Sequence, residues 1–222
     1  MKAKLISYST PSIEMTKEGL DDVQDLIAYC ARVSNPSNQL NMETAEKLIK
    51  YLIKHKHWSP LEMASACIEI ETTRDIARQI LRHRSFSFQE FSQRYADPTK
   101  DLDFEIREAR LQDTVNRQNS VETDNEYLKE RWEEEQLRVI MAAKQAYAWA
   151  IENGIAKEQA RAVLPEGNTK SRMYMNGTLR SWIHYIEIRS GNGTQKEHME
   201  VARECACAIA AIFPMVENFV QE

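Results

Sequence analysis

The chain has 222 residues, and its 29 Lys and Arg stand against 34 Asp and Glu, which gives a formal net charge of -5. This length suits one sizeable domain, 1–222, and no shift in composition indicates a second. The acidic balance argues against a general electrostatic grip on nucleic acid. Without a long apolar run or an apolar leader, we expect no membrane span and no signal peptide, and a cytoplasmic protein.

The first third of the chain alternates between strand and helix patterns. Residues 2–9 suit a short strand, and apolar residues then recur at helical spacing from Leu20 to Ala31. Asn41 is a candidate N-cap for a second amphipathic helix. Between 64 and 72, apolar and polar residues alternate, which predicts a strand with one buried face.

Thr72 and Asp75 resemble a capping box, so we predict that a helix follows the second strand directly. Basic residues recur on it at every fourth position and predict a basic stripe: Arg74, Arg78 and Arg82. Residues 96–127 are polar and lack a sustained apolar repeat. We expect a long surface loop or partly ordered insertion there, without catalytic residues.

The remaining elements are mostly helical. A long helix is predicted over 128–151, with Asn153 and Gly154 at its end, and a shorter helix carries Arg161. Residues 172–176 suit a strand, after which Thr178 caps another helix. Thr194 and Glu197 resemble a second capping box, opening a helix that stops at Pro214. The mixture predicts an α+β fold.

Two features invite a metal or disulfide interpretation. The cysteines show no Cys-x-x-Cys pairing and are interpreted as buried free thiols: Cys30, Cys67, Cys205 and Cys207. His55 and His57 are two residues apart on a predicted helix end, where their rings point apart, and no neighbouring ligand completes a zinc set. We therefore predict no metal site.

The segment 82–95 has an unusual density of anion-binding and hydrogen-bonding side chains. It begins Arg82-His83-Arg84 and adds Arg94, so its cations need an anionic partner, for which a planar guanidinium is well shaped. A solvated basic patch is the simplest alternative. A second is a single-stranded nucleic-acid platform, whose aromatic members would be Phe86, Phe88, Phe91 and Tyr95. The acidic balance and Glu90, which would repel a phosphate chain, argue against it.

The helix that follows Thr178 has two faces. Arg180, His184 and Glu187 share its polar side, and Arg189 lies at its end. This polar side is either a wet helix face or part of a ligand site. No Gly-x-Gly-x-x-Gly or Walker loop occurs, which argues against the standard dinucleotide and nucleoside-triphosphate folds.

Arg82-His83-Arg84, followed after seven residues by Ser92, resembles the RHR-x7-S signature of the flavin-dependent thymidylate synthases. Other blocks resemble the family in the same order along the chain: 31–34, 57–60, 160–165 and 179–189. The polar stretch 96–127 looks variable, and Glu166-Gly167-Asn168 departs from the more apolar residues expected there. Neither departure touches the signature.

The resemblance implies an enzyme that converts dUMP to dTMP. Methylenetetrahydrofolate would supply the one-carbon unit, and NADPH would supply the reducing equivalents through bound FAD. It also implies a single α+β domain with a mainly antiparallel sheet packed by several helices. The family assembles as a homotetramer whose active sites are shared between subunits, and we expect the same here. We expect neither nucleic acid nor a membrane as partner.

Matching positions carry over the family's site residues. Those implied for FAD are His57, Ser59, Arg82, His83, Arg84, Glu90, Arg180 and His184. Those implied for dUMP are Gln79, Arg82, Glu90, Ser92, Gln93, Arg94, Arg161 and Arg189. We expect Arg189 to stabilise negative charge on the uracil ring. Because no base is evident beside Ser92, we expect this serine to position the substrate rather than attack it.

Overall fold

The computed structural model describes residues 1–221, and this part of the chain contains nine α-helices and six strands. The strands are β1 (Lys2–Tyr8), β2 (Ser65–Thr73), β3 (Ser87–Glu90), β4 (Arg110–Gln112), β5 (Ser120–Glu122) and β6 (Lys170–Thr178). The helices are α1 (Ile13–Lys17), α2 (Val23–Ala31), α3 (Ala45–Lys54), α4 (Arg74–Ile80), α5 (Pro98–Asp101), α6 (Glu126–Glu152), α7 (Lys157–Ala160), α8 (Leu179–Arg189) and α9 (Lys196–Ala210).

The main sheet has four strands in the order β1-β2-β6-β3, and every neighbouring pair is antiparallel. Burial alternates along β2 and β6, and Met173 and Met175 both point into the core. The period of two in the sequence therefore placed the central strands correctly. The predicted α+β fold with a mainly antiparallel sheet is confirmed.

Helices α8 and α9 pack on each other and against this sheet. Trp182 of α8 is fully buried, and its indole Nε1 donates to the carbonyl oxygen of Ala66 on β2 at 3.0 Å. A buried indole N–H needs such a partner, because an unmade hydrogen bond would cost stability. This bond fixes α8 relative to the central strands.

Several predicted helix ends are confirmed. Thr178 caps α8 by accepting from the backbone N–H of Ser181 at 3.3 Å. Helix α6 ends at Glu152, where Gly154 takes a φ of 78° that a residue with a side chain rarely adopts. Its start differs from the prediction, because α6 begins at Glu126, where the Asn125 side chain accepts from the N–H of Leu128 at 3.1 Å.

Two predicted N-caps are wrong. Asn41 instead donates its side-chain amide to Asn38, and a short 3-10 turn separates it from α3. Thr72 remains in β2, so that α4 begins one residue later, after Thr73. The hydroxyl of Thr73 bonds to the Asp75 carboxylate at 2.6 Å rather than to a helix N–H. The Thr72 hydroxyl itself donates to Sδ of Met1 at 3.1 Å.

The expected basic stripe also breaks up. Helix α4 ends at Ile80, so Arg82 lies beyond it. Arg74 is buried and pairs with Glu90, whereas Arg78 is exposed and pairs with Glu166 at 3.4 Å. The three guanidiniums therefore lie in different environments and do not form one basic stripe.

The polar segment 96–127 is more structured than we expected. It contains α5 and the two-stranded β4–β5 hairpin, and Phe104 forms an isolated bridge with Thr169 beside the main sheet. Single polar anchors hold the segment, notably Arg107, which donates to the carbonyl oxygen of Gly167 at 3.2 Å. Such anchors leave no periodic apolar signal in a sequence.

All four cysteines are free, as predicted, but only Cys205 is buried; Cys30 and Cys67 are half-buried, and Cys207 is exposed. Within residues 1–221, no helix is long and apolar enough to cross a bilayer.

Gly177 on β6 is predicted to be sensitive to substitution. A Cβ atom there would lie 2.4 Å from the Phe86 ring, which already packs on Trp182 with ring centroids 4.8 Å apart. We expect Gly177→Ala to lower the free energy of unfolding by about 1–3 kcal/mol. Urea unfolding would measure this. Gly167→Ala is the matched control, because nothing lies within 4 Å of its added methyl group.

Candidate functional site

Helix α8 brings several separate sequence blocks together along one face. Arg180 at its start forms an ion pair with Glu62. One residue further, Ser181 donates its hydroxyl to the carbonyl oxygen of Ser85 at 3.3 Å. One turn later, the His184 ring lies edge-on to Trp58, with centroids 5.0 Å apart. The predicted cofactor residues in 57–59, 82–84 and 180–184 therefore border the same helix.

His83 and Arg189 meet at the far end of α8. The Arg189 guanidinium donates from Nε to Nε2 of His83 at 3.1 Å. Because a guanidinium only donates, His83 must be neutral, with its proton on Nδ1. Burial, followed by the charge of Arg189, lowers the pKa of His83 to about 4. The edge of a second ring, that of Tyr185, lies 4.9 Å away between centroids.

A cleft of about 460 Å³, here called the Arg189 cleft, opens beside this pair; its lining residues are Gln79, Arg82, His83 and Arg189. Within residues 1–221, Arg82 and Arg84 form no ion pair, and both are exposed. The cleft thus presents positive charge that the described chain does not neutralise. Such a surface suits an anionic ligand with acceptor oxygens.

A second cleft, of about 280 Å³, is lined mainly by Arg74, Arg78, Gln93 and Arg161 and is here called the Arg161 cleft. It shares no lining residue with the Arg189 cleft. Gln93 is only 4% exposed, and its Nε2 finds no hydrogen-bond partner within residues 1–221. A buried amide N–H without a partner is costly, so this group favours an acceptor oxygen supplied by a ligand.

The predicted residues near the end of β3 lie beside this second cleft or form internal contacts. Glu90 accepts from Arg74 at 3.3 Å and from the Ser171 hydroxyl at 2.8 Å, so part of its bonding capacity is used within the chain. Arg94 pairs with Glu158 at 3.3 Å. The Ser92 hydroxyl accepts from the N–H of Arg94 at 3.4 Å. No imidazole or carboxylate bonds to Ser92 within the described chain.

The predicted residues therefore fall into two groups. One group lies along α8 or in the Arg189 cleft: Ser59, Gln79, Arg82, His83, Arg84, Arg180, His184 and Arg189. His57 adjoins this group only through its chain neighbour Trp58, because its own ring lies near Tyr51 and His55 at the end of α3. The other lies near the Arg161 cleft: Glu90, Ser92, Gln93, Arg94 and Arg161. The single chain does not unite them in one cleft.

The buried polar start of α9 was not predicted from the sequence. The predicted capping box at Thr194 is wrong, because the N-cap is Gln195 and its side chain makes no cap bond. Glu197 instead pairs with Arg107 at 2.9 Å and with Arg110. His198 is fully buried and falls on the helical repeat of Cys205 and its apolar neighbours. A polar residue on an apolar stripe was the signal that could have revealed it.

A larger cavity, about 940 Å³, lies elsewhere, between α6 and the β4–β5 hairpin. It contains none of the predicted site residues, and its two buried cations, Arg107 and Arg110, are already paired with acidic residues. The unpartnered Gln93 amide, and the Arg189–His83 pair beside the unpaired Arg82, belong to the two smaller clefts. We therefore place the candidate chemistry in those clefts.

The geometry does not favour a single-stranded nucleic-acid platform. The Phe86 ring is half-buried against Trp182, and Phe88 lies beside it with centroids 6.2 Å apart. These rings pack on the core and present no stacking surface for bases. Tyr95, at 80% exposed, is the most open ring of the segment.

The model of the family described as thymidylate synthase complementing protein matches residues 15–215 of this chain. A probable flavin-dependent thymidylate synthase of Paramecium bursaria Chlorella virus 1 is 49% identical over 216 residues, 97% of each chain. The chain belongs to the flavin-dependent thymidylate synthase family. The resemblance inferred from Arg82-His83-Arg84 and Ser92 is thereby confirmed, as is the conclusion that the protein is an enzyme.

Further relatives agree. The flavin-dependent thymidylate synthase of Synechocystis is 47% identical over 216 residues, again 97% of each chain. Among solved structures, a UMP/dUMP methylase, PolB from Streptomyces cacaoi bound with 5-Br dUMP, superposes with a TM-score of 0.77. That match covers 98% of this chain and 93% of PolB at 23% identity, which supports the fold.

The low pKa of His83 predicts a pH dependence of stability. Its pKa falls from an ordinary 6.5 when unfolded to about 4 when folded, so the unfolded chain binds more protons between these values. The neutral imidazole thus contributes stability that is present above pH 6.5 and is lost as the pH falls towards 4. Urea unfolding at pH 7 and pH 5 should show a larger loss for the wild type than for His83→Asn. Equal losses would contradict the assignment.

Proposed function

We propose that this protein converts dUMP to dTMP, taking a methylene carbon from methylenetetrahydrofolate and two electrons from NADPH, with FAD as bound cofactor. The observation that carries the proposal is the Arg189 cleft, in which a neutral His83 orients Arg189 beside the unpaired guanidinium of Arg82. Support comes from the relatives that are named flavin-dependent thymidylate synthases. We take 1–222 as a single catalytic domain.

The residues along α8 fit FAD chemically. Exposed Arg82 and Arg84 offer donors and positive charge to a diphosphate, and the His184 ring beside Trp58 offers an aromatic surface. His57 and Ser59 stand exposed on either side of Trp58. Arg180 is tied to Glu62, so we propose that it contacts the cofactor from a fixed position. FAD, when bound, supplies hydride transfer, which no protein side chain can perform.

Arg189 is proposed to act on the uracil ring. Its guanidinium is held by His83 through Nε, which leaves the two terminal nitrogens free to donate to a carbonyl oxygen of the pyrimidine. Donation there stabilises negative charge that develops when carbon C5 becomes nucleophilic. A protonated His83 could not accept from Arg189, so its neutral form is required for this orientation.

The Arg161 cleft is proposed to hold the phosphate end of dUMP. Gln93 offers an unpartnered buried N–H, and Arg161 adds a cation to the same cleft. Arg94 adds another guanidinium near Ser92, although it is paired with Glu158 here. Glu90 retains one carboxylate oxygen outside its contacts with Arg74 and Ser171. We propose that Ser92 positions the nucleotide.

A shared active site in a homotetramer reconciles the two clefts. The clefts have no lining residue in common, whereas dUMP needs both the ring-facing and the phosphate-facing groups. Long apolar side chains also stand exposed on α6, among them Trp132, Met141 and Trp149. Such residues favour burial against another subunit. We propose that the Arg189 cleft of one subunit faces the Arg161 cleft of another.

The function is tested by the absorption spectrum of the purified protein with FAD, followed anaerobically after NADPH is added. Bound flavin that bleaches, and bleaches at a different rate when dUMP is present, would support a cofactor and substrate at one site. Formation of dTMP on addition of methylenetetrahydrofolate completes the test. Retention of no flavin, together with inert NADPH, would refute the proposed activity.

Mixing inactive variants tests the shared site. Arg189→Ala removes a group from one cleft and Arg161→Ala from the other. If subunits share sites, exchange between the two variants should restore up to about a quarter of the wild-type activity, because some sites then combine two intact clefts. If both clefts of a site come from one chain, mixing will restore none.

A further inference from the structure

A chain of hydrogen bonds, buried at His198 and part-buried beyond it, runs from α8 to α9 behind the Arg189 cleft. Its members, here called the buried hydrogen-bond chain, are Tyr185, His198, Gln79, Gln195 and Glu197. We propose that His198 is a positioning residue for the nucleotide, acting through Gln79. The inference rests on the proposed function, because it takes the Arg189 cleft as part of the dUMP site.

The contacts are continuous. The Tyr185 hydroxyl lies 3.2 Å from Nε2 of His198, and Nδ1 of His198 lies 3.1 Å from Oε1 of Gln79. Nε2 of Gln79 then donates to Oε1 of Gln195 at 2.8 Å. Nε2 of Gln195 donates in turn to Oε2 of Glu197 at 2.9 Å.

The direction of donation is set at the Glu197 end. Burial opposes ionisation there, but a backbone N–H and the guanidiniums of Arg107 and Arg110 lower the pKa of Glu197, so it is a carboxylate that only accepts. Gln195 must then donate its N–H to Glu197 and accept with its oxygen.

The donors at the other end of the buried hydrogen-bond chain are fixed in the same way. Gln79 donates to Gln195 and accepts with Oε1, so that His198 must donate from Nδ1. The Nε2 of His198 is left with a lone pair, which the Tyr185 hydroxyl satisfies. His198 is 0% exposed and lies near Arg189, and both conditions favour the neutral imidazole that this arrangement needs.

These contacts fix the orientation of the Gln79 side-chain amide. A primary amide has two N–H donors and two acceptor positions, and His198 and Gln195 each occupy one. Rotating the amide by half a turn would set its N–H against the N–H of His198 and its oxygen against that of Gln195. Both bonds would be lost, so the orientation is held.

The amide keeps one N–H and one lone pair for a ligand. The other groups lining the Arg189 cleft include the donors Arg82 and Arg189, which select a ligand rich in acceptor oxygens. The free N–H of Gln79 therefore suits a nucleotide oxygen, either on the phosphate or on the base. His198 never touches that oxygen, but together with Gln195 it holds the Gln79 amide in the orientation that offers this donor.

Binding of dUMP to the purified, full-length protein, measured by calorimetry, tests the inference. His198→Phe keeps a ring but removes both nitrogens, and we expect it to weaken dUMP binding about tenfold. His198→Asn restores a donor near the position of Nδ1 and should recover part of the loss. Val201→Ala is the matched control, because Val201 is buried on the same helix outside the buried hydrogen-bond chain.

The outcomes separate the possibilities. Unchanged binding by His198→Phe would overturn the inference, as would an equal loss in Val201→Ala at matched thermal stability. Parallel titrations with deoxyuridine identify the oxygen: a loss confined to dUMP indicates the phosphate, and a loss with both indicates the nucleoside. A wild-type protein that binds no dUMP would refute the proposed function itself.

One further test uses the wild-type protein, so its result does not depend on whether a variant binds dUMP. Nitrogen-15 NMR of histidine-labelled protein should show one imidazole, absent from the spectrum of His198→Asn, as the neutral Nδ1–H form from pH 5 to pH 8. An Nε2–H form would reverse the donation to Gln79 and overturn the inference.

Discussion

Arg189→Ala should lower the single-turnover rate of dTMP formation by about 10²- to 10³-fold, the effect of removing one preorganised donor to a developing negative charge. The loss should persist at saturating dUMP, because the guanidinium is proposed to act mainly in the transition state. Arg189→Lys should recover little, since an ammonium group cannot both donate to Nε2 of His83 at 3.1 Å and reach a carbonyl oxygen. Rapid chemical quench would measure these rates.

Ser92→Ala provides the comparison. The hydroxyl accepts only from a backbone N–H at 3.4 Å within residues 1–221, and no base activates it. We expect this variant to bind dUMP more weakly but to keep a measurable rate of chemistry. If Ser92→Ala abolished chemistry while still binding dUMP, and Arg189→Ala did not, the proposed roles would be reversed.

The second large effect is expected at Glu197. Its carboxylate lies between two guanidiniums that are almost buried, with side-chain exposures of 14% for Arg107 and 12% for Arg110. Glu197→Gln keeps the shape but removes the charge, so it leaves two almost buried cations with only their other partners, Asp75 for Arg107 and Glu108 for Arg110. We expect the free energy of unfolding to fall by about 3–5 kcal/mol. Urea denaturation at neutral pH would measure it.

Glu108→Gln is the matched control for this charge removal. Glu108 also faces Arg110, at 3.3 Å, and Lys196, at 2.8 Å, but its side chain is 48% exposed. Water screens such a pair, so the expected loss is below about 1 kcal/mol. Similar losses at both positions would mean that burial does not govern the energetics of this cluster.

Glu197 also connects the polar segment 96–127 with helices α4 and α9, a connection that was not predicted from the sequence. Arg107 belongs to the polar segment 96–127, and it joins Glu197 on α9 to Asp75 on α4 at 2.8 Å. The segment thus supports the helix that carries Gln79 into the Arg189 cleft. A periodic pattern of apolar residues does not reveal a loop that is held by ion pairs, because each ion pair joins one residue to one distant partner.

Local patterns determined much of the architecture. The period of two from 64 to 72 and the helical repeat of α6 follow from which side of each element must be apolar, and both were predicted from the sequence. The cap at Thr178 was also predictable, because its partner lies three residues away. The RHR-x7-S signature indicated the family, which the relatives confirm.

Tertiary structure alone decided the partnerships between distant polar groups. The capping boxes predicted at Thr72 and Thr194 did not form, because guanidiniums of the distant segment 96–127 bind their acidic members, Asp75 and Glu197. The separation of Arg189 and Arg161 into different clefts was likewise not visible from spacing. The repeating pattern of apolar residues in a sequence determines which faces of its elements are buried. A buried polar group, by contrast, is satisfied by a single partner, and only the folded chain supplies that partner.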